Sequence, residues 1–468
     1  MKFLVLVPDG VAIRNFFCSR FVDLLLSEGE VLVWHALPEP SVAPHRQRWG
    51  DSVRWEILPG FREGLPERVL RQAKMYAQLY WNYDRDDSDA VLKFLRPSGR
   101  LVNRALTFSA RNLGRICGSE RGVVWLDRRH ARATVGADYF GTFETFLEHE
   151  QPDIVFCTHQ RISRAVPAML AARSLGIPTA TFIYSWDNLP KGRMAVHADY
   201  FLVWSEFMKE ELLRYHPEVT AERVHVVGTP QFEHYFDTEL LKPRDEFIRS
   251  LGLDPSRPVV CFSGDDTATS PHDPLYLADL ARALRKLPER ERPQILFRRC
   301  PVDTSNRYQS VLEEFPEITI SDPLWLSQQN GDWTQAIPTR EDIALLANVV
   351  NHCDLVINVG STMAMDFAVF DKPGIYLAYD HPSANGGWSV KDTYRLPHLR
   401  PVHELQPVYW AYSATDLGTL IDHALSHAEE KGEARRAWLE KQIMHPLDQA
   451  STRCHQALRR IVAPDLPR

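Results

Sequence analysis

Short apolar runs rich in β-branched residues alternate with amphipathic stretches over most of the chain. Such runs, separated by segments of helical periodicity, are typical of parallel strands joined by crossover helices. The pattern predicts strands at Lys2–Val7, Val31–Ala36, Asp153–Cys157, Thr179–Tyr184, Tyr200–Trp204, Arg223–Val227, Val259–Phe262, Gln294–Arg298, Ile318–Ser321, Leu355–Val359 and Gly374–Ala378. It predicts helices at Arg14–Ser27, Ser163–Leu175, Glu206–Tyr215, Pro274–Leu287, Arg340–His352, Thr362–Phe370 and Ala414–His427. The predicted fold class is α/β with doubly wound, Rossmann-like sheets.

The strand series breaks after residue 227, which predicts two domains. The strand pattern stops there, and Lys242-Pro243 then opens a new helix ahead of the second series. We expect an N-terminal domain over residues 1–238, a C-terminal domain over residues 245–428 and a helical tail over residues 429–468. Two such domains in tandem are expected to place the carboxyl edges of their sheets across a cleft, where ligands of α/β proteins bind.

Composition changes this picture little. The chain has 468 residues, 44% hydrophobic and 25% charged, which is ordinary for a soluble globular protein. No apolar run approaches the roughly 18 residues of a membrane-spanning helix. The seven cysteines include no CxxC pair, which argues against a disulfide framework or a zinc ribbon and favours a reducing, cytoplasmic setting.

Charge is distributed unevenly, although the net value is only −7. Residues 63–133 have helical periodicity and form an insertion in the first domain, and ten basic but two acidic residues lie between positions 93 and 132. Helical spacing places five arginines on one face, Arg96, Arg100, Arg104, Arg111 and Arg115. This face suits an anionic or lipid-linked acceptor, or peripheral contact with the cytoplasmic membrane, and it equally suits a solvated helix paired with acids elsewhere. Nucleic acid is not expected at a pI of about 6.2.

The strand-to-helix junction at residues 353–373 is the most informative stretch. A strand ends at Gly360, and Ser361 and Thr362 open a helix. Backbone N–H groups and hydroxyls at a helix start suit a diphosphate, and an ordinary N-cap with a tight turn explains the same residues. With Asp366 and a closing Lys-Pro pair, this run resembles the donor-site segment of GT-B glycosyltransferases. It is most similar to the CDP-glycerol glycerophosphotransferase and bacterial surface-polysaccharide transferase group.

That resemblance implies how the chain binds its donor. Ser361 and Thr362 would contact the phosphates of a nucleotide sugar, Gly360 would allow close approach, and Asp366 would belong to the same site. The helical tail would pack back on the N-terminal domain, as it commonly does in this family. No cofactor and no essential metal are expected, and the histidines are too scattered to suggest a metal site.

Two further junctions of the second domain are donor-site candidates. Arg298 and Arg299 end a strand and could each neutralise a phosphate, or form a structural ion pair at the strand end. Cys300 stands where the family often has a histidine, which argues against a catalytic role at that position. Gly264, in Ser-Gly-Asp-Asp, would permit backbone approach to a phosphate or simply make a turn.

The first domain supplies three candidates for a general base. Asp187 lies in the dense loop Tyr184–Arg193 and is the first candidate, although it could merely stabilise that turn. Asp9 and His159 also follow strands at the same sheet edge, and His159 could equally be a wall residue. The acceptor-binding candidates come from the loop itself and are Trp186, Asn188, Lys191 and Arg193.

The resemblance implies a metal-independent GT-B glycosyltransferase of polysaccharide, lipopolysaccharide or capsule biosynthesis. It would move a sugar from a nucleotide sugar to a hydroxyl of a surface glycan or glycolipid. Phosphoglycerol transfer from CDP-glycerol and nucleotide-sugar 2-epimerisation on the same fold stay open. So does a non-catalytic protein that binds carbohydrate or nucleotide.

Overall fold

The structure is a computed structural model that describes residues 1–86, 101–326, 336–384 and 387–464. Side chains are described throughout these ranges except at 86 and 101–103. The chain forms two compact units. The described residues of Met1–Glu233 and Gln442–Arg468 belong to the first unit, and those of His234–Leu326 and Pro338–Lys441 belong to the second.

The first unit contains a seven-stranded parallel sheet in the order β3-β2-β1-β4-β5-β6-β7. Its strands are β1 Lys2–Val7, β2 Glu30–His35, β3 Val53–Ile57, β4 Ile154–Cys157, β5 Thr179–Phe182, β6 Tyr200–Val203 and β7 Val224–Val226. The central strands are apolar and buried along their whole length, as expected for a parallel sheet covered by helices on both faces.

The second unit contains a six-stranded parallel sheet in the order β10-β9-β8-β13-β14-β15. Its strands are β8 Val259–Ser263, β9 Gln294–Arg298, β10 Thr319–Ser321, β13 Leu355–Asn358, β14 Gly374–Leu377 and β15 Tyr409–Ala411. Two-residue strands β11 and β12 occupy Trp325–Leu326 and Ile337–Pro338. The predicted α/β class with two doubly wound sheets is confirmed.

Helices connect the strands in both units. They are α1 Phe21–Leu26, α2 Glu39–Trp49, α3 Leu65–Asp86, α4 Leu101–Ile116, α5 Glu120–Val135, α6 Phe140–Glu150, α7 Val166–Ser174, α8 Glu206–Tyr215, α9 Arg244–Ser250, α10 Asp273–Arg285, α11 Gln309–Glu314, α12 Arg340–His352, α13 Met363–Ala368, α14 Val390–Tyr394, α15 Arg400–Leu405, α16 Leu417–Ser426, α17 Gly432–Gln442 and α18 Ala450–Val462. Polar side chains cap several of them; Ser205 and Thr339, for example, accept backbone N–H bonds at the starts of α8 and α12.

The helix predicted over Arg14–Ser27 is broken in the structure. A π-helix occupies Ile13–Phe17, and α1 begins only at Phe21. Ser19 causes the interruption, because its hydroxyl donates to the Phe16 carbonyl at 3.4 Å and accepts the Phe21 N–H at 3.3 Å. Such local side-chain bonds compete with the helical ladder.

The insertion predicted from the sequence consists of α3, α4 and α5, which form a small core of their own. Its fully buried members are Ala73, Tyr76, Ala77, Leu79, Ala110, Val123 and Leu126. Lys74 of α3 donates to Asp127 of α5 at 2.7 Å and to the Ala195 carbonyl at 3.3 Å. A buried ion pair therefore joins α3 to α5, and the bond of Lys74 to Ala195 fixes the insertion to the loop before β6.

The segment predicted as one helical tail is divided between the units. Arg435 of α17 is buried and bonds to Asp371, within the second unit. By contrast, α18 packs against α1 in the first unit, where His455 and Arg459 approach Glu28 at 3.2 and 3.3 Å. Residues 429–441 thus differ from the expectation of a tail packed on the first domain, because Asp371 pairs with Arg435 there.

Candidate functional site

In the first unit, the chain reverses the direction of strand order between β1 and β4. The strand β1 pairs with β2 on one side and with β4 on the other. The connections that leave β1 and β4 therefore run to opposite sides, and a crevice opens at their carboxyl ends. Asp9 follows β1 and His159 follows β4, so this topology brings the two residues together.

Asp9 and His159 form a buried hydrogen-bonded pair. The Nδ1 atom of His159 lies 2.6 Å from Oδ2 of Asp9, and both side chains are 2% exposed. Oδ1 of Asp9 accepts the Val11 N–H at 3.3 Å. The ring of Tyr184 packs edge-on against His159 with a centroid separation of 4.0 Å. The carboxylate, the backbone and an aromatic ring thus fix the orientation of the imidazole.

The second ring nitrogen of this histidine is unoccupied. Within the described part of the chain, Nε2 of His159 is buried and has no hydrogen-bond partner. A carboxylate that accepts the proton on Nδ1 selects the tautomer whose Nε2 carries the lone pair. The pair has the composition of a general base, His159, with its orienting group, Asp9. The contact of Tyr184 with His159 is visible only in the folded structure.

Asp187 occupies a different environment from the one the sequence suggested. It accepts hydrogen bonds from the Ser185 hydroxyl at 2.7 Å and the Asn188 amide at 2.9 Å, and it forms an ion pair with Lys191. Asn188 in turn accepts from Gln160 at 2.9 Å. This network organises the turn after β5, which is the structural alternative foreseen for Asp187 and Asn188.

Two acceptor-site candidates of the same loop are buried. Trp186 is 5% exposed. Arg193 bonds to Asp127 at 2.7 Å through one of its terminal nitrogens and also forms an ion pair with Glu218. Because these acids engage its guanidinium, Arg193 holds α5 against the loop instead of facing the carboxyl edge of the sheet. We therefore remove Arg193 from the acceptor site.

In the second unit the corresponding reversal lies between β8 and β13. Gly360 follows β13 with a φ of +67°, a left-handed conformation that side chains rarely adopt. The next residue, Ser361, donates its N–H to Asn358 Oδ1 at 2.9 Å, and its carbonyl accepts from the Tyr376 hydroxyl at 3.1 Å. Ser361 and Thr362 are partly exposed ahead of α13. The turn therefore presents two hydroxyl side chains at the end of β13.

The adjacent junction after β8 contains the buried Asp273 and the half-buried Asp265, two acids whose environment sequence reasoning missed. Burial and the neighbouring Asp273 raise the pKa of Asp265 well above its ordinary value. Burial likewise raises the pKa of Asp273 to about 6. Within the described residues, Oδ2 of Asp265 is buried and has no hydrogen-bond partner. Carboxyl groups so placed favour the protonated form, a property that the letters Gly-Asp-Asp do not disclose.

Gly264 has a packing reason to be glycine. A Cβ atom at this position would lie 2.7 Å from the Tyr308 hydroxyl and 3.2 Å from the Phe297 ring. The tyrosine hydroxyl donates to Asp273 at 3.2 Å. Glycine at position 264 thus makes room for Tyr308, and this reason for a glycine does not depend on a bound phosphate.

The remaining donor-site candidates are engaged to different extents. Arg298 is buried and bonded to Asp342 at 2.7 Å, so it is the structural ion pair that the sequence left open. Arg299 is partly exposed, with Asp322 2.9 Å from its Nε. Asp366 accepts from the Tyr235 hydroxyl at 2.7 Å. We therefore remove Arg298 from the phosphate site and keep Arg299 and Asp366 as candidates.

Neither a metal centre nor a membrane span was found in the described ranges. No group of three or more His, Cys, Asp or Glu side chains there is placed to hold a metal ion. No helix among the described residues is long and apolar enough to cross a bilayer.

Comparison with known proteins identifies the fold. No protein-family model matches the chain, and no curated protein matches it in sequence. A UDP-GlcNAc 2-epimerase from Neisseria meningitidis, solved with UDP-GlcNAc, is similar in structure with a TM-score of 0.53 and 10% identity over 98% of this chain and 100% of that one. The S. aureus MnaA–UDP structure is similar with a TM-score of 0.55 and 10% identity, over 100% of this chain and 99% of that one. A glycosyltransferase from Rickettsia africae is similar with a TM-score of 0.51 and 12% identity, over 99% of this chain and 98% of that one.

These similarities extend over nearly the full length of every chain compared. Together with the two parallel sheets, they show that the protein has the two-domain GT-B fold, as the sequence predicted.

Proposed function

We propose that the protein is a GT-B glycosyltransferase that moves a sugar from a nucleotide sugar to an acceptor hydroxyl. The observation that carries this proposal is the Asp9–His159 pair, with its 2.6 Å contact and the unoccupied Nε2 atom at the reversal of strand order. The fold supports an enzyme that uses nucleotide sugars, because the similar structures were solved with UDP-GlcNAc or UDP.

His159 acts as the general base in this proposal. Its Nε2 atom removes the proton from the acceptor hydroxyl as the oxygen attacks the sugar, and Asp9 stabilises the imidazolium that forms. Burial of both side chains excludes water from the pair and strengthens this electrostatic stabilisation. Asp187 has a supporting role, because it shapes the loop that carries Tyr184.

The second unit binds the donor. The hydroxyls of Ser361 and Thr362, with the open backbone at Gly360, contact the phosphates, and Arg299 supplies positive charge. Asp366 supports this segment through its bond to Tyr235. As the glycosidic bond breaks, negative charge grows on the leaving phosphate, and fixed donors lower the barrier by stabilising it.

The insertion meets the acceptor. Arg104, Arg111 and Arg115 are exposed on α4, and Phe108 between them is 69% exposed. Spacings of four, three and four residues place all four on one helical face. Arginines around an exposed aromatic ring suit an anionic glycolipid or the surface of an anionic membrane. Arg96 and Arg100, predicted for the same face, lie outside the described residues.

Epimerisation of a nucleotide sugar is the second candidate, and the similarity to structures of UDP-GlcNAc 2-epimerases favours it. The Asp9–His159 pair could remove a proton from the sugar ring as well as from a hydroxyl. The two reactions differ in their need for a second substrate. Epimerisation proceeds on the nucleotide sugar alone, whereas transfer requires an acceptor.

A donor screen tests the proposal. The protein is incubated with UDP-, GDP-, ADP-, CDP- and CMP-sugars and with CDP-glycerol, with and without lipid-linked acceptors, and products are followed by mass spectrometry. We expect release of nucleotide that depends on an acceptor and is lost in His159→Gln. An epimer formed from the donor alone would replace this proposal by the second candidate. Transfer of phosphoglycerol from CDP-glycerol would show that the donor is not a nucleotide sugar, and it would likewise overturn the proposal. Nucleotide binding without turnover for every pair would make the protein a binding module.

A further inference from the structure

A polar cavity lies in the first unit, and neither Asp9 nor His159 lines it. It has a volume of about 320 Å³ and is lined by α5, the end of α7 and the segments that lead into β6 and β7. Asp9 and His159 follow their strands, whereas these segments precede theirs. In a parallel sheet the two kinds of connection lie at opposite edges. The cavity therefore has a lining of its own, although Val196 donates its N–H to the carbonyl of Gln160, the residue after His159.

The floor of this cavity is a closed network of charges. Asp127 accepts two bonds from Arg193, at 3.2 and 2.7 Å, and Arg193 also contacts the ring of His216 at 2.8 Å. Burial alone would raise the pKa of Asp127, but Arg193, His197 and Lys74 hold it well below its ordinary value. The carboxylate is therefore charged, and Arg193 is neutralised within the network.

The rim of the cavity is different, because it has unneutralised positive charge. Arg128, Arg173 and Arg223 line it and are exposed. Arg173 pairs with Asp199 at 3.1 Å. Arg128 and Arg223 have no carboxylate within ion-pair distance in the part of the chain that the structure describes. Two unpaired guanidinium groups thus border the same opening.

The walls between floor and rim are largely apolar. Leu170, Val196, Phe201 and Val219 line them. His197 also faces the cavity, and its Nε2 atom lies 3.4 Å from Oδ1 of Asp127. Burial lowers the pKa of His197 to about 4, so the ring is uncharged at neutral pH. A cavity with an apolar wall, the uncharged ring of His197 and arginines at its mouth suits a ligand that has an apolar body and an anionic group.

We propose that this cavity binds a small organic anion, a phosphate ester or carboxylate with an apolar body. The anionic group pairs with Arg128 and Arg223, because a guanidinium presents two parallel N–H groups to such oxygens. The apolar body lies against Phe201 and its neighbours. The volume corresponds to the lower end of small-molecule sites.

Phenyl phosphate is the probe for this site, and benzyl alcohol is its uncharged counterpart. Calorimetry on the full chain is expected to show binding of phenyl phosphate with a Kd on the order of 1 mM, and none of benzyl alcohol. Arg128→Gln combined with Arg223→Gln should weaken binding at least tenfold. Both side chains are exposed, so the thermal unfolding temperature without ligand should not change.

Arg121→Gln is the matched control. Arg121 is an exposed arginine on α5, two turns before Arg128, and it does not line the cavity. Its substitution should leave the affinity for phenyl phosphate unchanged. Equal affinity in the wild type and the double variant would overturn the proposal, since the anion would then occupy another site. Absence of any binding at about 10 mM phenyl phosphate would overturn it as well.

Discussion

The two strand-order reversals of this protein present different chemistry on the same topology. Between β1 and β4, two buried side chains bond to each other, and one imidazole nitrogen remains available. Between β8 and β13, a left-handed glycine precedes partly exposed hydroxyls. The first arrangement can move a proton, and the second can hold an anion. The difference teaches that the roles proposed for the two units rest on side chains at equivalent sheet positions, and that topology alone does not assign them.

Loss of the imidazole tests the first reversal most severely. His159→Gln keeps a polar side chain of similar reach but removes the base, and we expect kcat to fall about 10³-fold. Nucleotide binding should be unchanged, because the substitution lies in the first unit. Steady-state kinetics and calorimetry with the donor measure the two effects. A kcat within a factor of about three of wild type would exclude His159 as the base.

Asp9 should matter less than His159, because it acts through the ring. Asp9→Asn removes the charge that stabilises the imidazolium and permits the other tautomer, so we expect about 10²-fold lower kcat with little change in donor KM. Asp187→Asn is the control, since Asp187 is engaged by Ser185, Asn188 and Lys191. A larger loss in Asp187→Asn than in Asp9→Asn would return the role of base to Asp187.

Two ion pairs that affect stability join the end of α6 to β1 and β3. Glu150 is nearly buried, and it lies 2.9 Å from Lys2 and 2.8 Å from Arg54. The Arg54 hydrogen bond, opposed by burial and aided by Lys2, lowers the pKa of Glu150 to about 2. Glu150→Gln should lower the free energy of unfolding at pH 7 by about 2 kcal/mol.

The pH dependence of that effect has a defined sign. A carboxylate whose pKa is lowered by folding contributes its full stability above the unfolded value of 4.5 and loses it as the pH falls towards 2. Denaturation at a series of pH values should therefore show the wild type and Glu150→Gln converging in acid. Curves that stay parallel down to about pH 2 would contradict the assignment.

The second reversal predicts a binding defect. Ser361→Ala combined with Thr362→Ala should weaken nucleotide-sugar binding about tenfold, equivalent to about 1.4 kcal/mol, and change kcat less. Ser305→Ala is a suitable control, because its hydroxyl is bonded to Asp303 at 2.6 Å. Unchanged donor affinity in the double variant would remove these hydroxyls from the phosphate site.

The smallest effect is expected on the arginine face of α4. Arg104→Gln should reduce the affinity for phosphatidylglycerol vesicles about fivefold, because one arginine near an anionic surface contributes about 1 kcal/mol to binding. Salt should weaken vesicle binding more than donor binding. Arg290→Gln, an exposed arginine of the second unit, is the matched control. Equal binding to phosphatidylcholine and phosphatidylglycerol would refute a charge-dependent contact.

Strand positions were well predicted because parallel strands are continuous apolar runs. Lys2–Val7 and Gln294–Arg298 have the predicted bounds, and Glu206–Tyr215 and Arg340–His352 do so among the helices. The prediction lacked β3 and β15 and the two-residue strands β11 and β12. Of these, β3 is an edge strand of mixed polarity whose Ile57 is 72% exposed, so it has no such run. Its pairing with β2, and not local propensity, determines that strand.

The candidate site was predictable only as a set of junctions. Asp9 and His159 are 150 positions apart, and only the pairing of β1 with β4 brings them into contact. Asp187 appeared the better base because local density of polar groups is visible in a sequence. The partners of Asp187 are its neighbours in the loop, as the turn-stabilising alternative allowed. The partner of Arg298 is Asp342, 44 positions away, and that ion pair is a consequence of tertiary packing, which periodicity does not encode.

The separate core of α3, α4 and α5 has a consequence for how the sequence can diverge in evolution. A helical layer that buries its own apolar residues can be lengthened, shortened or exchanged without repacking the sheet beneath it. The bonds of Lys74 to the Ala195 carbonyl and of Asp127 to Arg193 are the attachment that such an exchange must preserve. The outward face of these helices can therefore differ between related chains while the strands of the sheet stay the same.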